Sequence, residues 1–214
     1  MRRVVLCGIV LAVAAAAGAS YAIGRSRTAP PAVEHAPAPA TNAAATWRAG
    51  VRPAPDFALV DQHGKAISIR SLRGRPVVVT FIDPVCRNLC PLEAKILMTA
   101  SRHLPAAQRP VIVSVSVNPW ADTQTNFAVD ATHWHLGGNW RWALGSEKQL
   151  AAVWRRYEIG VQVVKKVISG VTLRTIAHTE ASYIVDRSGH ERALFLYPFT
   201  AGDVEQAVRA AATG

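Results

Sequence analysis

The chain has 214 residues, half of them hydrophobic, which suits one ordinary domain with a well-filled core. It carries 24 Lys and Arg against 14 Asp and Glu, for a formal net charge of +10. The cations are scattered and form no long run. That argues against nucleic-acid binding and favours an anionic membrane surface or an acidic partner.

The first residues, "MRR", are a positive n-region, and "VVLCGIVLAVAAAAGAS" follows without a charge. Together they read as an export signal, with "SYA" ending at Ala22 as a small-x-small cleavage site. Val4 to Gly24 also matches the about 20 apolar residues that span a bilayer. Residues 1–24 are therefore a signal peptide or an N-terminal membrane anchor, and either places the rest outside the cytoplasm. Cys7, within this segment, reads as a small apolar residue. Residues 25–50 are rich in Ala and Pro and read as an extended tether, with His35 incidental to it. The folded domain is expected over 51–214.

"PDFALVDQHGKAISI" predicts a β-hairpin turning at "HGK". "VVVTFI" is a β-branched run of the kind found in a central strand. "PLEAKILMTASRHL" has helical spacing, with Leu92, Ile96, Leu97 and Leu104 available to one face. "PVIVSVSV" predicts a second buried strand, "DTQTNFAVDAT" a short helix and "WRWAL" a third strand. "SEKQLAAVWRRYEIG" has Ser146 as N-cap, Gln149 three residues on and Gly160 beyond the end. "VQVVKKVISGVTLRTIAH" fits either a hairpin or a long surface loop. "EASYIVD", "RSGH" and "ERALFLY" read as strand, turn and strand. "TAGDVEQAVRAAA" closes the chain as a helix with Thr200 as a possible N-cap. Buried strands alternating with helices predict an α/β fold: a mixed sheet with parallel central strands, flanked by helices. Trp134, Trp140, Trp142 and Trp154 are expected in the core or at its rim.

Cys86 and Cys90 stand between the first central strand and the helix after it. Sites in α/β sheets form beyond the carboxyl ends of strands. A helix N-terminus there offers free N–H groups and partial positive charge, which favour thiolate. Residues i and i+4 share a helix face, so the two sulfurs can approach each other for a disulfide or for one metal ion. A purely structural disulfide would close too short a loop to stabilise much. The pair therefore reads as metal-binding or redox-active, and the cysteines alone do not choose. Thiolates select soft ions, above all Cu(I) and Zn(II). Among the histidines, His133 and His135 read as exposed loop residues. His103 suits a helix C-terminus, and His63 and His190 fall in turns. His178 stands before "EASYIVD", at the end of a segment able to fold over the strand ends.

The segments "FALVDQHGKAISIRSLRGRPVVVTFI", "CRNLCP", "DTQTNFA" and "HTEASYIVDRSGHERALF", in that order, resemble the Sco/SenC family of copper-binding cytochrome c oxidase assembly proteins. The resemblance covers about residues 52 to 212. It implies a thioredoxin-like fold with an added N-terminal β-hairpin, tethered to a membrane by one N-terminal helix. It also implies that Cys86, Cys90 and His178 bind copper, as Cu(I) or Cu(II). The implied partners are a terminal oxidase subunit carrying a copper site, and another copper chaperone or a thiol reductase. The family pattern usually reads C-P-x-x-C-P, commonly with Asp after the first proline; here Arg87 and Asn88 stand there. Arg87 is expected to favour thiolate but to oppose a bound cation. Asp83 either replaces the missing carboxylate or forms a turn with Pro84.

Two functions follow from this reading. One is an extracytoplasmic metallochaperone in which the three ligands hold copper and pass it on. The other is a thiol–disulfide oxidoreductase, with Cys86 as the attacking thiol and Cys90 as the resolving one. A peroxidase is disfavoured, because Asp83 stands where a Thr-x-x-Cys arrangement would need threonine.

Overall fold

A computed structural model of the chain describes residues 42–213. The expected signal or anchor segment, and residues 25–41 of the expected tether with His35, lie outside the described residues. Among the described residues no helix is long and apolar enough to cross a membrane.

The β-branched run becomes β4 (Val77–Ile82), with all six residues buried. It pairs in parallel with β5 (Val111–Ser116), which pairs in parallel with β6 (Trp140–Leu144). The predicted hairpin is β2 (Leu59–Asp61) and β3 (Ala66–Ile67), joined antiparallel, and β2 extends the sheet beyond β6. Asp61 shapes the turn, since its Oδ1 accepts from His63 N at 2.8 Å and Lys65 N at 2.9 Å. On the other flank β9 (Ala181–Val185) runs antiparallel to β4, and β10 (Glu191–Leu196) antiparallel to β9.

One strand departs from expectation. Ala45–Thr46, placed by the sequence in the tether, forms β1 and pairs with the outer edge of β10. The ordered sheet therefore starts before residue 51. Two residues have no readable period; the open edge of β10 recruits them. The complete order is β1-β10-β9-β4-β5-β6-β2-β3.

Side-chain alternation along β4 divides the core. Val77, Val79 and Phe81 face a cluster with Leu150, Val153, Trp154 and Tyr157. The first three of these lie on α3 (Glu147–Arg156), whose Ser146–Gln149 capping box is present. Val78 and Ile82 face the opposite cluster. It is built on α1 (Leu89–His103), α2 (Gln124–His133) and α4 (Ala201–Thr213). At the start of α4, Thr200 Oγ1 accepts from Asp203 N at 3.2 Å, as its capping role predicts. Trp134, Trp140, Trp142 and Trp154 are all buried. Phe127 and Trp142 stack with centroids 4.8 Å apart.

The ambiguous segment is a separate two-stranded ribbon, β7 (Val161–Ile168) and β8 (Val171–His178). Its ladder runs from Val161 opposite His178 to Ile168 opposite Val171. Ser169 and Gly170 take up the positive φ angles that so tight a reversal needs. Arg174 and Lys165 lie over the Trp120 ring, 4.9 and 5.9 Å from its centroid.

Candidate metal and thiol site

Beyond Ile82 the chain turns through Asp83-Pro84-Val85 to Cys86. The Asp83 carbonyl accepts from Cys86 N at 3.0 Å. Asp83 Oδ1 accepts from Val85 N and from Asn118 Nδ2, each at 3.0 Å. Asp83 thus forms the turn, and it also lines the cavity described below. Asn88 is the N-cap of α1, its Oδ1 accepting from Leu89 N at 2.8 Å. Pro91 sits in the first turn, where its missing N–H costs little.

Cys86 and Cys90 are both free thiols, the first half-buried and the second buried. Cys86 Sγ accepts from Cys90 N at 3.4 Å and, as a thiol, donates to Asn88 Oδ1 at 2.9 Å. Hydrogen bonding from the Cys90 thiol, helped by the Asn88 and Cys90 amides and opposed by burial, pulls the Cys86 pKa down to about 6. Donation to Cys86, together with burial, pushes the Cys90 thiol far above its ordinary range. The pair thus divides at neutral pH into an outer thiolate and an inner thiol.

The antiparallel pairing of β9 with β4 completes the site. Thr80 lies opposite Ser182, so the start of β9 lies beside the carboxyl end of β4. The residues just before β9, His178 to Glu180, therefore arrive next to the cysteine loop. His178 Nε2 is 3.9 Å from Cys90 Sγ. Its Nδ1 is 3.2 Å from the Thr179 carbonyl, which assigns the proton to Nδ1 and leaves the Nε2 lone pair facing the sulfur. Burial lowers the His178 pKa, keeping the ring neutral and able to bind a metal at neutral pH.

Two acids that the sequence reading did not single out stand behind this pair. Glu180 Oε1 is 3.3 Å from His178 Nε2. Glu93, fully buried on α1, accepts at Oε1 from Thr80 Oγ1 at 2.8 Å and Ser182 Oγ at 2.7 Å. Burial, and then the Glu93 charge, push Glu180 up to about 9; burial also raises Glu93. The pair consequently retains a proton at neutral pH. The available signals were an acid two places after His178 and an acid among the apolar positions of α1.

Arg87 does not stand as a bare charge against a cation. Its Nη1 donates to the Cys86 carbonyl at 2.8 Å, and to the Pro84 carbonyl and Asp130 Oδ1 at 3.3 Å each. Asp130 is buried on α2, where burial, against the pull of Arg87, raises its carboxyl to about 7; at neutral pH it partly answers the guanidinium and ties the cysteine loop to that helix.

Cys86, His178 and Glu180, with Asp83, Asn88 and Ile176, line one cavity of about 220 Å³. Among the described residues, one group of three metal-ligating side chains comes together, Cys90, His178 and Glu180, with ligand atoms within 4.8 Å of one another. His63, His103, His133 and His135 are exposed, and His190 bonds to Ser188 Oγ at 2.7 Å.

Comparison with known proteins agrees with this architecture. The SCO1/SenC family model matches residues 48–213. No curated protein matches the chain. Among solved structures, Bradyrhizobium japonicum ScoI with copper bound is 22% identical, with a TM-score of 0.60 over 75% of this chain and 99% of that one. Apo Sco1 from Thermus thermophilus is 23% identical, with a TM-score of 0.63 over 74% and 91% of the two chains. Yeast Sco1 with copper bound is 14% identical, with a TM-score of 0.64 over 74% and 87%. The likeness carries the fold: a mixed sheet flanked by helices, of the thioredoxin-like Sco type.

Proposed function

The chain belongs to the SCO1/SenC family, and from that premise we propose that it is an extracytoplasmic copper metallochaperone serving a terminal oxidase. Cys86, Cys90 and His178 take one copper ion as cargo. The observation that carries this reading is the 3.9 Å approach of Cys90 Sγ to the His178 Nε2 lone pair, across 88 positions of sequence. Two sulfurs and one imidazole are a soft donor set matched to copper. Copper-bound relatives of the same fold support the cargo.

Each residue has a distinct task. Cys86, already a thiolate near neutral pH, offers the outermost sulfur to an incoming ion or acceptor. Cys90 must give up its proton on binding, which makes copper uptake depend on pH. The Thr179 carbonyl fixes the His178 tautomer, so Nε2 needs no proton loss. Exposed Val85, Leu89 and Leu92 near the cysteines offer apolar contact to a docking partner. In this reading residues 1–24 anchor or export the chain, and the Ala/Pro-rich stretch gives the domain reach.

The ionisation of Cys86 also favours a second reading, a thiol–disulfide oxidoreductase. The Cys86 thiolate attacks a target disulfide and releases one target thiolate. Cys90 then attacks the mixed disulfide and releases the second. The target gains two electrons, and the Cys86–Cys90 pair loses them.

Copper titration of the reduced protein and its His178→Ala variant, against a competing Cu(I) chelator, separates the readings. The metallochaperone requires one tightly held copper in the parent and a large loss in the variant. Failure of both proteins to compete for copper, with disulfide reduction intact, would leave the oxidoreductase.

A further inference from the structure

His178 Nε2 is shared by two neighbours. Cys90 Sγ lies 3.9 Å from it and Glu180 Oε1 lies 3.3 Å from it. Metal–ligand bonds of about 2.3 Å to sulfur and about 2.0–2.1 Å to nitrogen and oxygen, at tetrahedral angles, separate S from N by about 3.5 Å and N from O by about 3.3 Å. The two separations from Nε2 therefore already stand near those that a single ion imposes, and all three ligand atoms lie within 4.8 Å of one another. The Glu180 carboxyl group is also hydrogen-bonded to that of buried Glu93, which holds it in place beside His178. Glu180 also lines the cavity that Cys86 and His178 share, so its carboxyl group meets the same open space. Cys86 is placed differently: its sulfur accepts from the Cys90 amide, and it is not part of the close group of three.

We infer that Glu180 is a further metal ligand of this chain, forming with Cys90 and His178 an S, N, O set for a divalent ion. The inference rests on the proposed copper site and deepens it. Carboxylate oxygen is a hard donor, acceptable to Cu(II) and other divalent first-row ions but poorly suited to Cu(I). Cu(I) is held by the Cys86 and Cys90 sulfurs with His178. A divalent ion draws in Glu180 and depends less on Cys86. The cargo's oxidation state thus selects which of two overlapping donor sets closes on it. In the divalent state the outer Cys86 sulfur is left accessible to an incoming partner.

The test uses the reduced full-length protein, without oxygen, with Cu(I), Cu(II) and Co(II) titrated against competing chelators. Co(II) serves as a divalent probe that does not oxidise thiols under these conditions, and its visible absorption reports the donor set. Glu180→Gln keeps the side-chain volume, and Glu180→His supplies a replacement ligand. The expected result is a weakening of Cu(II) and Co(II) binding by about tenfold or more in Glu180→Gln, with a changed Co(II) spectrum and Cu(I) binding within about threefold of the parent. Glu180→His restores Co(II) binding, whereas Cys86→Ser weakens Cu(I) far more than Co(II). Unchanged Cu(II) and Co(II) affinities and spectra in Glu180→Gln overturn Glu180 as a ligand and leave the proposed function standing. A parent that holds neither copper ion overturns the proposed function. A parent that also fails to hold Co(II) overturns both.

Discussion

Removing the Cys90 thiol should raise the ionisation midpoint of Cys86. In the parent the hydrogen bond from Cys90 is the largest influence lowering Cys86 from 9.0 to about 6. At pH 7 a thiol of pKa about 6 is about 90% thiolate, against about 1% at pKa about 9, so the reactive population differs by about 90-fold. A less basic thiolate is also a weaker nucleophile. With a Brønsted slope of about 0.45, three pKa units cost about 20-fold in intrinsic rate. The net advantage at pH 7 is then only about fourfold, so a single rate is a poor test and the midpoint of the pH profile is a good one. Alkylation of reduced protein by iodoacetamide, followed from pH 4 to 10 by mass spectrometry at Cys86, should turn over near pH 6. In Cys90→Ala the turnover should move up by at least about one pH unit, because the remaining amide donors at the helix N-terminus retain part of the effect. A parent midpoint in the ordinary thiol range, or a midpoint unmoved by Cys90→Ala, would refute the division into outer thiolate and inner thiol.

Two further outcomes test the surroundings of the site. Glu180→Gln should gain stability relative to the parent as pH rises. The folded pKa of Glu180, about 9, lies above the ordinary 4.5, so its contribution is fully present below 4.5 and is lost as pH rises through about 9. Urea unfolding of the reduced proteins at pH 5 and pH 8 reads this directly, and a constant difference would count against the buried carboxyl pair. Trp120→Ala should loosen the ribbon that delivers His178, since it removes cation–π contacts from Arg174 and Lys165. At about 0.5–1 kcal/mol for each contact, amide exchange across Val161–Ile168 should quicken by about 5- to 30-fold, with exchange in β4 unchanged. Unaltered exchange in the ribbon would show that Ile176 and its neighbours hold it without Trp120.

The parts of this fold that local chemistry controls were open to reading in the sequence. The β-branched runs became β4 and β5, and the Ser146–Gln149 box became a helix start, because each satisfies its own backbone and pattern. The ribbon stayed ambiguous for a physical reason: both of its faces are largely exposed, so no period of two separates inside from outside. Arg87 looked like a charge opposed to metal because its hydrogen-bond partner, the Asp130 carboxyl group, lies 43 residues away on another helix. Glu93 and Glu180 broke the rule that keeps acids at the surface, and such a breach becomes informative only once the two are seen beside the thiols.

The same distinction explains why His178 could be raised as a ligand only through family resemblance. Nothing near it in sequence requires it to meet a cysteine. The meeting is set by strand order and direction. β9 lies directly beside β4 and runs against it, so the residues that enter β9 sit where β4 ends. Were β9 parallel to β4, the same histidine would lie at the opposite edge of the sheet, about six residues or roughly 20 Å from the thiols. The ribbon β7–β8 then has a defined structural role. Its last residue, His178, leads through Thr179 and Glu180 into β9, and Gly160 N donates to Thr179 Oγ1 at 3.1 Å to close the ribbon's base. The site is therefore made of a rigid half, the cysteine loop capped by Asn88 and tied down by Arg87, and a delivered half carried by a ribbon outside the main sheet. In the proposed metallochaperone, a donor set divided in this way would change one ligand without disturbing the other half, as ligand exchange with a partner requires.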